Sequence, residues 1–162
     1  MKTALLTLLI LTSFSAIAQS HQEKVKSFFD NLSQENMKLV DEFYHPQVEF
    51  IDPVGSLKGS DKMKAYYEGL YKNVKEIKFE FTNFVESGDQ VVAIWKMHLK
   101  TDKLNGGESY AVDGNSVVRF DQSGKAIYHR DYFDMGDFVY ERIPVVGFVI
   151  KKIKARFKPE EK

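Results

Sequence analysis

The sequence predicts an α+β domain in which N-terminal helices pack on one face of a curved antiparallel sheet. Three observations support this prediction. Apolar residues recur with helical spacing from His21 to about Leu70, and apolar and polar residues then alternate from Val74 to about Met135. A further apolar segment near the C-terminus predicts an additional helix. Helices that precede a run of consecutive strands are typical of α+β folds.

Three helices and one short strand are expected in the first part of the chain. The segments His21 to Leu32 and Gln34 to Phe43 predict the first two helices, and Ser33 is suited to cap the second. Val48 to Ile51 predicts the short strand. Ser60 is suited to cap the third helix, whose apolar residues follow the i, i+3, i+4, i+7 pattern at Met63, Tyr66, Tyr67 and Leu70. The tyrosines of this helix are therefore expected to point toward the core.

Four longer strands are expected to follow as a meander. In the first two strands the alternating apolar residues are Ile77, Phe79 and Phe81, then Val91, Ala93, Trp95 and Met97. The turn Ser87-Gly88-Asp89 joins these strands as a hairpin. The last two strands run from about Ser109 to Phe120 and from Lys125 to about Met135, and the turn Asp121-Gln122-Ser123-Gly124 joins them.

The segment from Phe138 to Phe157 combines a dense apolar stripe with lysines. Pro144 is suited to the first turn of a helix, and the apolar residues after it are Val145, Val146, Phe148, Val149, Ile150 and Ile153. Two interpretations are open. The helix packs on its own sheet or on a dimer partner, which we favour, or it makes a peripheral contact with a membrane surface.

The N-terminus and the composition indicate the cellular location and exclude some classes of partner. Residues 1–18 are typical of a secretory signal peptide, with Lys2, an apolar run from Ala4 to Leu11 and small residues before Gln19. We expect an exported protein, periplasmic or secreted, with a single domain over residues 19–162. The chain has no cysteine, so the domain needs a hydrophobic core in place of disulfides. A balance of 23 basic and 23 acidic residues over the full chain argues against a nucleic-acid partner.

Several segments resemble a known family. Val48 to Tyr71, VEFIDPVGSLKGSDKMKAYYEGLY, is similar to the corresponding segment of bacterial ketosteroid isomerases, including the tetrapeptide Asp52-Pro53-Val54-Gly55. The turn from Arg119 to Lys125 and the segment from His129 to Asp134 resemble SnoaL-like proteins, among them polyketide cyclases. Both groups belong to the nuclear transport factor 2-like superfamily. The resemblance covers nearly all of residues 19–162 and implies a cone-like pocket between sheet and helices.

The resemblance implies a catalytic role for Asp52. This residue falls at the position of the isomerase general base, which moves a proton between two carbons of an enone. The positions of the two oxyanion-hole donors of those isomerases are held here by Phe28 and Ser116. Phenylalanine cannot donate a hydrogen bond, and removing one such donor can lower the rate about a hundredfold or more. A faithful ketosteroid isomerase mechanism is therefore not expected.

A second candidate base lies on the last predicted strand. Alternation places His129, Asp131 and Phe133 on one face of that strand, and the resemblance places this face in the pocket. Several SnoaL-like cyclases use an aspartate on this strand, so Asp131 is the second candidate base. His129 beside it is the third candidate catalytic residue, expected to tune the acid or to donate the return proton. Tyr67 or Ser116 is expected to stabilise enolate charge. The expected apolar walls are Phe28, Trp95, Met97 and Phe133.

These residues predict a protein that binds a small apolar molecule and acts as an acid-base isomerase or cyclase next to a carbonyl group. The alternative is a non-catalytic ligand-binding or interaction domain of the same fold. We expect no cofactor and no metal, because the four histidines lack the spacing of metal ligands. We expect a homodimer, because Val92 and Ile94 are apolar on the strand face opposite Trp95.

The candidate site residues also have structural interpretations. Asp52, which precedes Pro53, is suited to cap the backbone amides of a turn. His129 and Asp131 are suited to an ion-pair network on a sheet face, since such networks also bring titratable groups together. Trp95 is more often a core residue than part of a ligand site. These interpretations predict a domain whose pocket is filled by its own side chains.

Overall fold

The structure is a computed structural model that describes residues 19–157, so the predicted signal peptide lies outside the described residues. Within them the α-helices are α1 (His21–Asn31), α2 (Lys38–Phe43), α3 (Ser60–Tyr71), α4 (Met135–Phe138) and α5 (Pro144–Ala155). The strands are β1 (Tyr44–Ile51), β2 (Ser56–Lys58), β3 (Glu76–Ser87), β4 (Gln90–Lys100), β5 (Tyr110–Phe120) and β6 (Ala126–Phe133). Short 3-10 helices cover Gln34–Asn36, Asn105–Gly107 and Tyr140–Arg142.

The strands form one six-stranded sheet in the order β2-β1-β6-β5-β4-β3. The run from β3 to β6 is antiparallel, as the predicted meander requires. β1 adds a parallel pairing with β6, so the complete sheet is mixed. The predicted α+β class and the additional C-terminal helix are confirmed.

Helix α1 shows how the sequence builds the helical layer. The Ser20 side chain accepts a hydrogen bond from the Glu23 amide, and the Glu23 side chain accepts one from the Ser20 amide. This capping box fixes the start of the helix. Phe28 and Phe29 are buried, and the Phe29 ring lies 4.8 Å from the ring of Phe79 on β3. The apolar face of α1 therefore packs on the inner face of the sheet.

Local structure differs from the prediction between α1 and α3. The second predicted helix is divided into a 3-10 turn and α2, and β1 begins directly after it at Tyr44, before the predicted start at Val48. The sequence does not predict this start, because Pro46 lies within the segment and proline cannot donate to the strand ladder. Ser60 is already helical, and the cap of α3 is Gly59 with φ of 104°. Glycine adopts this conformation without steric cost.

Helix α5 begins at Pro144, which confirms the predicted start. Gly147 lies directly against the backbone of Glu141, and Lys154 forms ion pairs with Glu141 and Asp134. Most of the apolar side chains of α5 are exposed, so the expected packing on its own sheet is not found. Within residues 19–157, no helix combines the length and the apolar character needed to cross a bilayer.

Candidate functional site

A small cavity of about 80 Å³ lies between α3 and the inner face of the sheet. Its walls are mostly aromatic and aliphatic, and Asp131 is the one charged side chain among the described residues that line it. The structure brings six of the predicted site residues together here: Tyr67, Trp95, Met97, Ser116, Asp131 and Phe133. Period-two alternation on β4, β5 and β6 accounts for this convergence, because it directs these strand residues to the inner face.

Two predicted site residues lie behind the cavity. His129 is fully buried, is not among the lining residues, and is hydrogen-bonded to Asp131. Phe28 is packed in the core, with its ring 4.3 Å from Phe43 and 5.3 Å from Tyr44 between centroids. Phe28 is therefore not among the lining residues, and the expected wall on this side is supplied by Phe29.

A chain of hydrogen bonds joins polar residues of the cavity wall to buried residues outside the cavity lining. The Tyr44 hydroxyl lies 3.0 Å from the Tyr67 hydroxyl and 2.6 Å from His129 Nδ1. Asp131 Oδ1 lies 2.8 Å from His129 Nε2 and 2.5 Å from Ser116 Oγ. The indole N–H of Trp95 donates to Ser116 Oγ over 2.9 Å. In order, the chain joins Tyr67, Tyr44, His129, Asp131, Ser116 and Trp95.

The strand register explains why these side chains meet. Ser116 pairs with Asp131 across β5 and β6, so the two side chains stand next to each other on the inner face. Phe50 on β1 pairs with His129, and the parallel pairing brings Tyr44, at the start of β1, alongside β6. The chain of hydrogen bonds therefore depends on the β1–β6 pairing.

One assignment of protons satisfies every bond in this chain. With Asp131 ionised, a neutral His129 carries its proton on Nε2 and donates it to Oδ1. His129 Nδ1 then accepts from the Tyr44 hydroxyl, which in turn accepts from Tyr67. Ser116 donates to the same carboxylate oxygen. The other oxygen of Asp131, Oδ2, makes no side-chain or backbone hydrogen bond within residues 19–157.

Asp52 occupies a neighbouring pocket rather than the cavity. Its Oδ1 accepts hydrogen bonds from the amides of Val54 and Gly55, each over 2.8 Å. Its Oδ2 accepts one from the Tyr66 hydroxyl over 2.5 Å. Both carboxylate oxygens therefore accept hydrogen bonds within the protein. These bonds order the turn after β1 and fix the position of the Tyr66 hydroxyl. This geometry matches the capping role that the sequence also allows.

Tyr66, Tyr67 and Tyr71 line the cavity and Tyr44 is hydrogen-bonded to Tyr67, and the burial of these side chains disfavours their ionised form. Burial raises the pKa of Tyr44 and Tyr67 well above the usual value for a phenol. Burial and the hydrogen bond to Asp52 together raise the pKa of Tyr66, and burial raises the pKa of Tyr71 to about 12. These phenols therefore stay protonated and act as hydrogen-bond donors at neutral pH.

Several residues of this site were not predicted as site residues. Tyr66 and Tyr71 line the cavity beside Tyr67, and Phe138 of α4 closes part of its wall. Tyr71 follows Tyr67 by one helical turn, and that spacing was the available signal. Tyr44 gave no signal, because it follows directly on a segment that predicted a helix. The β1–β6 pairing that makes Tyr44 part of the site is not visible in local sequence.

Comparison with known families identifies the fold. Residues 25–129 match the SnoaL-like domain. The chain belongs to the SnoaL-like domain family. No curated protein matches this SnoaL-like chain.

Solved structures with the same fold resemble this SnoaL-like domain. A SnoaL-like polyketide cyclase candidate from Shewanella putrefaciens is 20% identical with a TM-score of 0.66, over 84% of this chain and 96% of that chain. A protein with a ketosteroid isomerase-like fold from Catenulispora acidiphila, in complex with trimethylamine, is 13% identical with a TM-score of 0.65, over 74% and 91%. A protein of unknown function from Burkholderia pseudomallei is 20% identical with a TM-score of 0.64, over 73% and 93%. The last is a nuclear transport factor 2-like protein, and these similarities show that this chain has the same fold.

The buried tyrosines of the SnoaL-like domain predict a loss of stability at high pH. An unfolded tyrosine ionises near pH ~10, whereas these folded tyrosines hold their protons to higher pH. The stabilisation is therefore complete below about pH 10 and falls above it, by up to about 1.4 kcal/mol per pH unit for each such tyrosine. Urea unfolding across this pH range measures the slope.

The variant Tyr67→Phe provides the control, because exposed lysines also titrate at high pH. We expect the free energy of unfolding of the variant to fall less steeply with pH, by up to about 1.4 kcal/mol per pH unit, which is the contribution of one tyrosine. Its phenolate absorbance in the folded state should match that of the unaltered protein, since Tyr67 is not ionised there. An unchanged slope would mean that Tyr67 titrates in the folded protein as it does in the unfolded chain.

Proposed function

We propose that this domain binds a small carbonyl compound in the cavity under α3 and moves a proton at the carbon next to the carbonyl group. The position of Asp131 carries the proposal. Asp131 is a single carboxylate in the described wall of the cavity, and a chain of hydrogen bonds holds one of its oxygens. A carboxylate held in this way next to apolar walls is a candidate general base.

Asp131 acts through Oδ2. This oxygen removes a proton from the carbon next to the carbonyl, and the bonding electron pair remains on the ligand as an enolate. The protonated carboxyl then returns the proton to a second carbon of the ligand. The isomerisation conserves atoms and electrons, and it needs no other reactant.

His129 is a positioning residue in this mechanism. Its side chain is fully buried and does not line the cavity, so it acts on the ligand only through Asp131. Together with Ser116 it fixes Oδ1, which leaves Oδ2 as the reactive oxygen. Holding a reacting group in one geometry is itself a source of rate enhancement.

Tyr71 is our candidate for stabilising the enolate oxygen. The two donors expected from the sequence have other partners, since the Tyr67 hydroxyl is hydrogen-bonded to that of Tyr44 and Ser116 donates to Asp131. The hydroxyl of Tyr71 makes no hydrogen bond within residues 19–157, and its ring lines the cavity. Burial raises its pKa to about 12, which keeps the phenol protonated as a donor.

The cavity limits the size of the ligand. Its volume of about 80 Å³ lies below the range of roughly 300–1,000 Å³ found for drug-sized ligands. A steroid or a polycyclic polyketide is therefore too large for the cavity. Flat aromatic walls favour a small, planar ligand such as a short or cyclic enone.

The test is a panel of small ketones and cyclic enones, each incubated with the protein in heavy water and followed by proton NMR. Proton abstraction exchanges deuterium into the position next to the carbonyl, so the experiment detects the chemistry without knowing the natural substrate. We expect saturable, protein-dependent exchange for at least one compound. The same compound, at about a hundred times its dissociation constant, should raise the free energy of unfolding by about 2.7 kcal/mol.

Ligand binding without turnover is the second candidate function, and the engaged hydroxyls of Tyr67 and Ser116 favour it. It predicts stabilisation by a panel compound without deuterium exchange. Absence of both effects across the panel would overturn both functions. A domain whose cavity only completes its own packing would then explain the site.

Export and dimerisation stay predictions. Export rests on the signal-like residues 1–18, and mass spectrometry of the processed N-terminus tests it. The dimer prediction is supported by apolar side chains on the outer face of the sheet, where Val85 and Ile94 are 54% and 40% exposed. An apolar outer face is typical of a surface that is covered by a partner.

A further inference from the structure

Helix α5 carries an unusual concentration of exposed apolar surface. Eight of the fourteen exposed large apolar side chains in the described part of the chain lie between Tyr140 and Phe157. Four of them share one face of α5, at i, i+3, i+4 and i+8, and these are Val145, Phe148, Val149 and Ile153. Val145 is 76% exposed and Phe148 is 67% exposed. Such a continuous stripe marks an interaction surface.

The stripe has a fixed position on the domain. Gly147 lies against the Glu141 backbone on another side of the helix, and Lys154 pairs with Glu141 and Asp134. These contacts anchor α5 to the segment that follows β6. The anchored side and the exposed stripe therefore lie on different faces of the helix.

The charges of this segment all have one sign. From Ile143 to Phe157 the sequence contains Lys151, Lys152, Lys154 and Arg156 and no acidic residue. Lys152 Nζ lies 6.0 Å from the centre of the Phe148 ring, so a cation stands directly beside the apolar stripe. Long basic side chains in this position extend their charge past an apolar surface while their stems pack on it.

We propose that α5 docks the domain on the surface of an anionic lipid bilayer. The apolar stripe enters the boundary between headgroups and acyl chains, and Lys151, Lys152 and Arg156 bind lipid phosphates. The helix has 12 residues and thus a length of about 18 Å, which is less than the roughly 30 Å of a hydrocarbon core. The helix therefore lies in the plane of the surface.

Charge favours the bilayer over a second copy of the chain. Two α5 helices packed through this stripe would bring Lys151, Lys152 and Arg156 of each copy together, and α5 has no acidic residue to balance them. Like charges brought together at an interface oppose association. An anionic bilayer supplies both the apolar layer and the opposite charge.

Vesicle flotation tests the proposal. The purified protein, with its N-terminus defined by mass spectrometry, is mixed with vesicles of phosphatidylcholine alone or of equal parts phosphatidylcholine and phosphatidylglycerol. We expect binding to the anionic vesicles and at least about tenfold weaker binding in Phe148→Asp, which loses an apolar anchor and adds a negative charge. Lys151→Gln should weaken binding about fivefold, and added salt should weaken binding of the unaltered protein.

Val54→Asp is the matched control, because Val54 is also 67% exposed and lies far along the chain from α5. It should bind the anionic vesicles as the unaltered protein does, and circular dichroism checks that both aspartate variants are folded. Equal binding by Phe148→Asp and the unaltered protein would overturn the proposal. No binding to anionic vesicles, together with a dimer that Phe148→Asp dissociates in sedimentation, would assign the stripe to a second copy.

Discussion

Asp131→Asn is expected to lower the rate of deuterium exchange into a panel ketone by about a hundredfold or more. General-base catalysis typically contributes a factor of about 10²–10⁴, and an amide group cannot accept the proton. The side chain keeps its shape, and its amide oxygen is still able to accept from Ser116 and His129. Ligand-induced stabilisation should therefore change by only a few-fold while exchange is lost. Proton NMR and thermal unfolding measure the two effects on the same samples.

Asp52→Asn separates the two candidate bases. Its amide oxygen is still able to accept from the Val54 and Gly55 amides, although the charge and the Tyr66 bond are altered. We expect exchange within a few-fold of the unaltered protein and a loss of about 1–2 kcal/mol in the free energy of unfolding. If exchange instead disappears in Asp52→Asn and survives in Asp131→Asn, the base is Asp52, as the isomerase resemblance implies.

His129→Gln tests whether the chain of hydrogen bonds orients the base. A structural role alone would lower stability and leave the chemistry of the folded protein unchanged. A positioning role predicts a lower maximal exchange rate with little change in the ligand concentration at half-saturation, because the carboxylate is misplaced while the cavity walls remain. The informative measurement is therefore the comparison of the maximal exchange rate with the ligand concentration at half-saturation.

Local periodicity was sufficient to predict most of the fold. The first and third helices, the β3–β4 hairpin and the β5–β6 hairpin follow from spacing and turn residues, which act over a few positions along the chain. Local periodicity did not predict β2 or the parallel pairing of β1 with β6. Partners in a parallel pair are far apart in sequence, and no local pattern encodes which strand lies beside which.

The site was predictable to the extent that it depends on strand alternation. Alternation placed Asp131 and Phe133 together on the inner face of β6, where the structure has them. Alternation does not give the distance between two carboxyls on neighbouring strands, so it could not place Asp52 and Asp131 in separate pockets. Nor could it show that Tyr44 would reach His129, since that contact requires the β1–β6 register.

Gly114→Ala is expected to destabilise the domain by about 3 kcal/mol. Gly114 pairs with Trp95 across β4 and β5, and the indole lies flat over it. A Cβ atom at this position would stand 2.6 Å from Cζ3 and 2.7 Å from Cζ2 of the indole, closer than real side chains approach. Overpacking of this kind costs about 1–3 kcal/mol, and displacing the indole also breaks its bond to Ser116, worth about 1 kcal/mol.

Trp95 reports on its own displacement, because it is the only tryptophan in the chain. Its side chain is buried, so Gly114→Ala should shift the fluorescence emission to longer wavelength as well as lower the urea midpoint. The exposed Gly69 of α3 is the control, since a Cβ there meets nothing within 4 Å, and Gly69→Ala should stabilise the helix by about 0.5–1 kcal/mol.

A double-mutant cycle with Trp95→Leu decides whether the indole is the cause. Without the indole, the methyl group of Gly114→Ala has room, so the substitution should cost at least about 1 kcal/mol less in that background. An equal cost in both backgrounds would place the penalty in the β5 backbone instead. Because Trp95 also donates to Ser116, which in turn donates to Asp131, a cycle with strong coupling should be accompanied by slower deuterium exchange in Gly114→Ala.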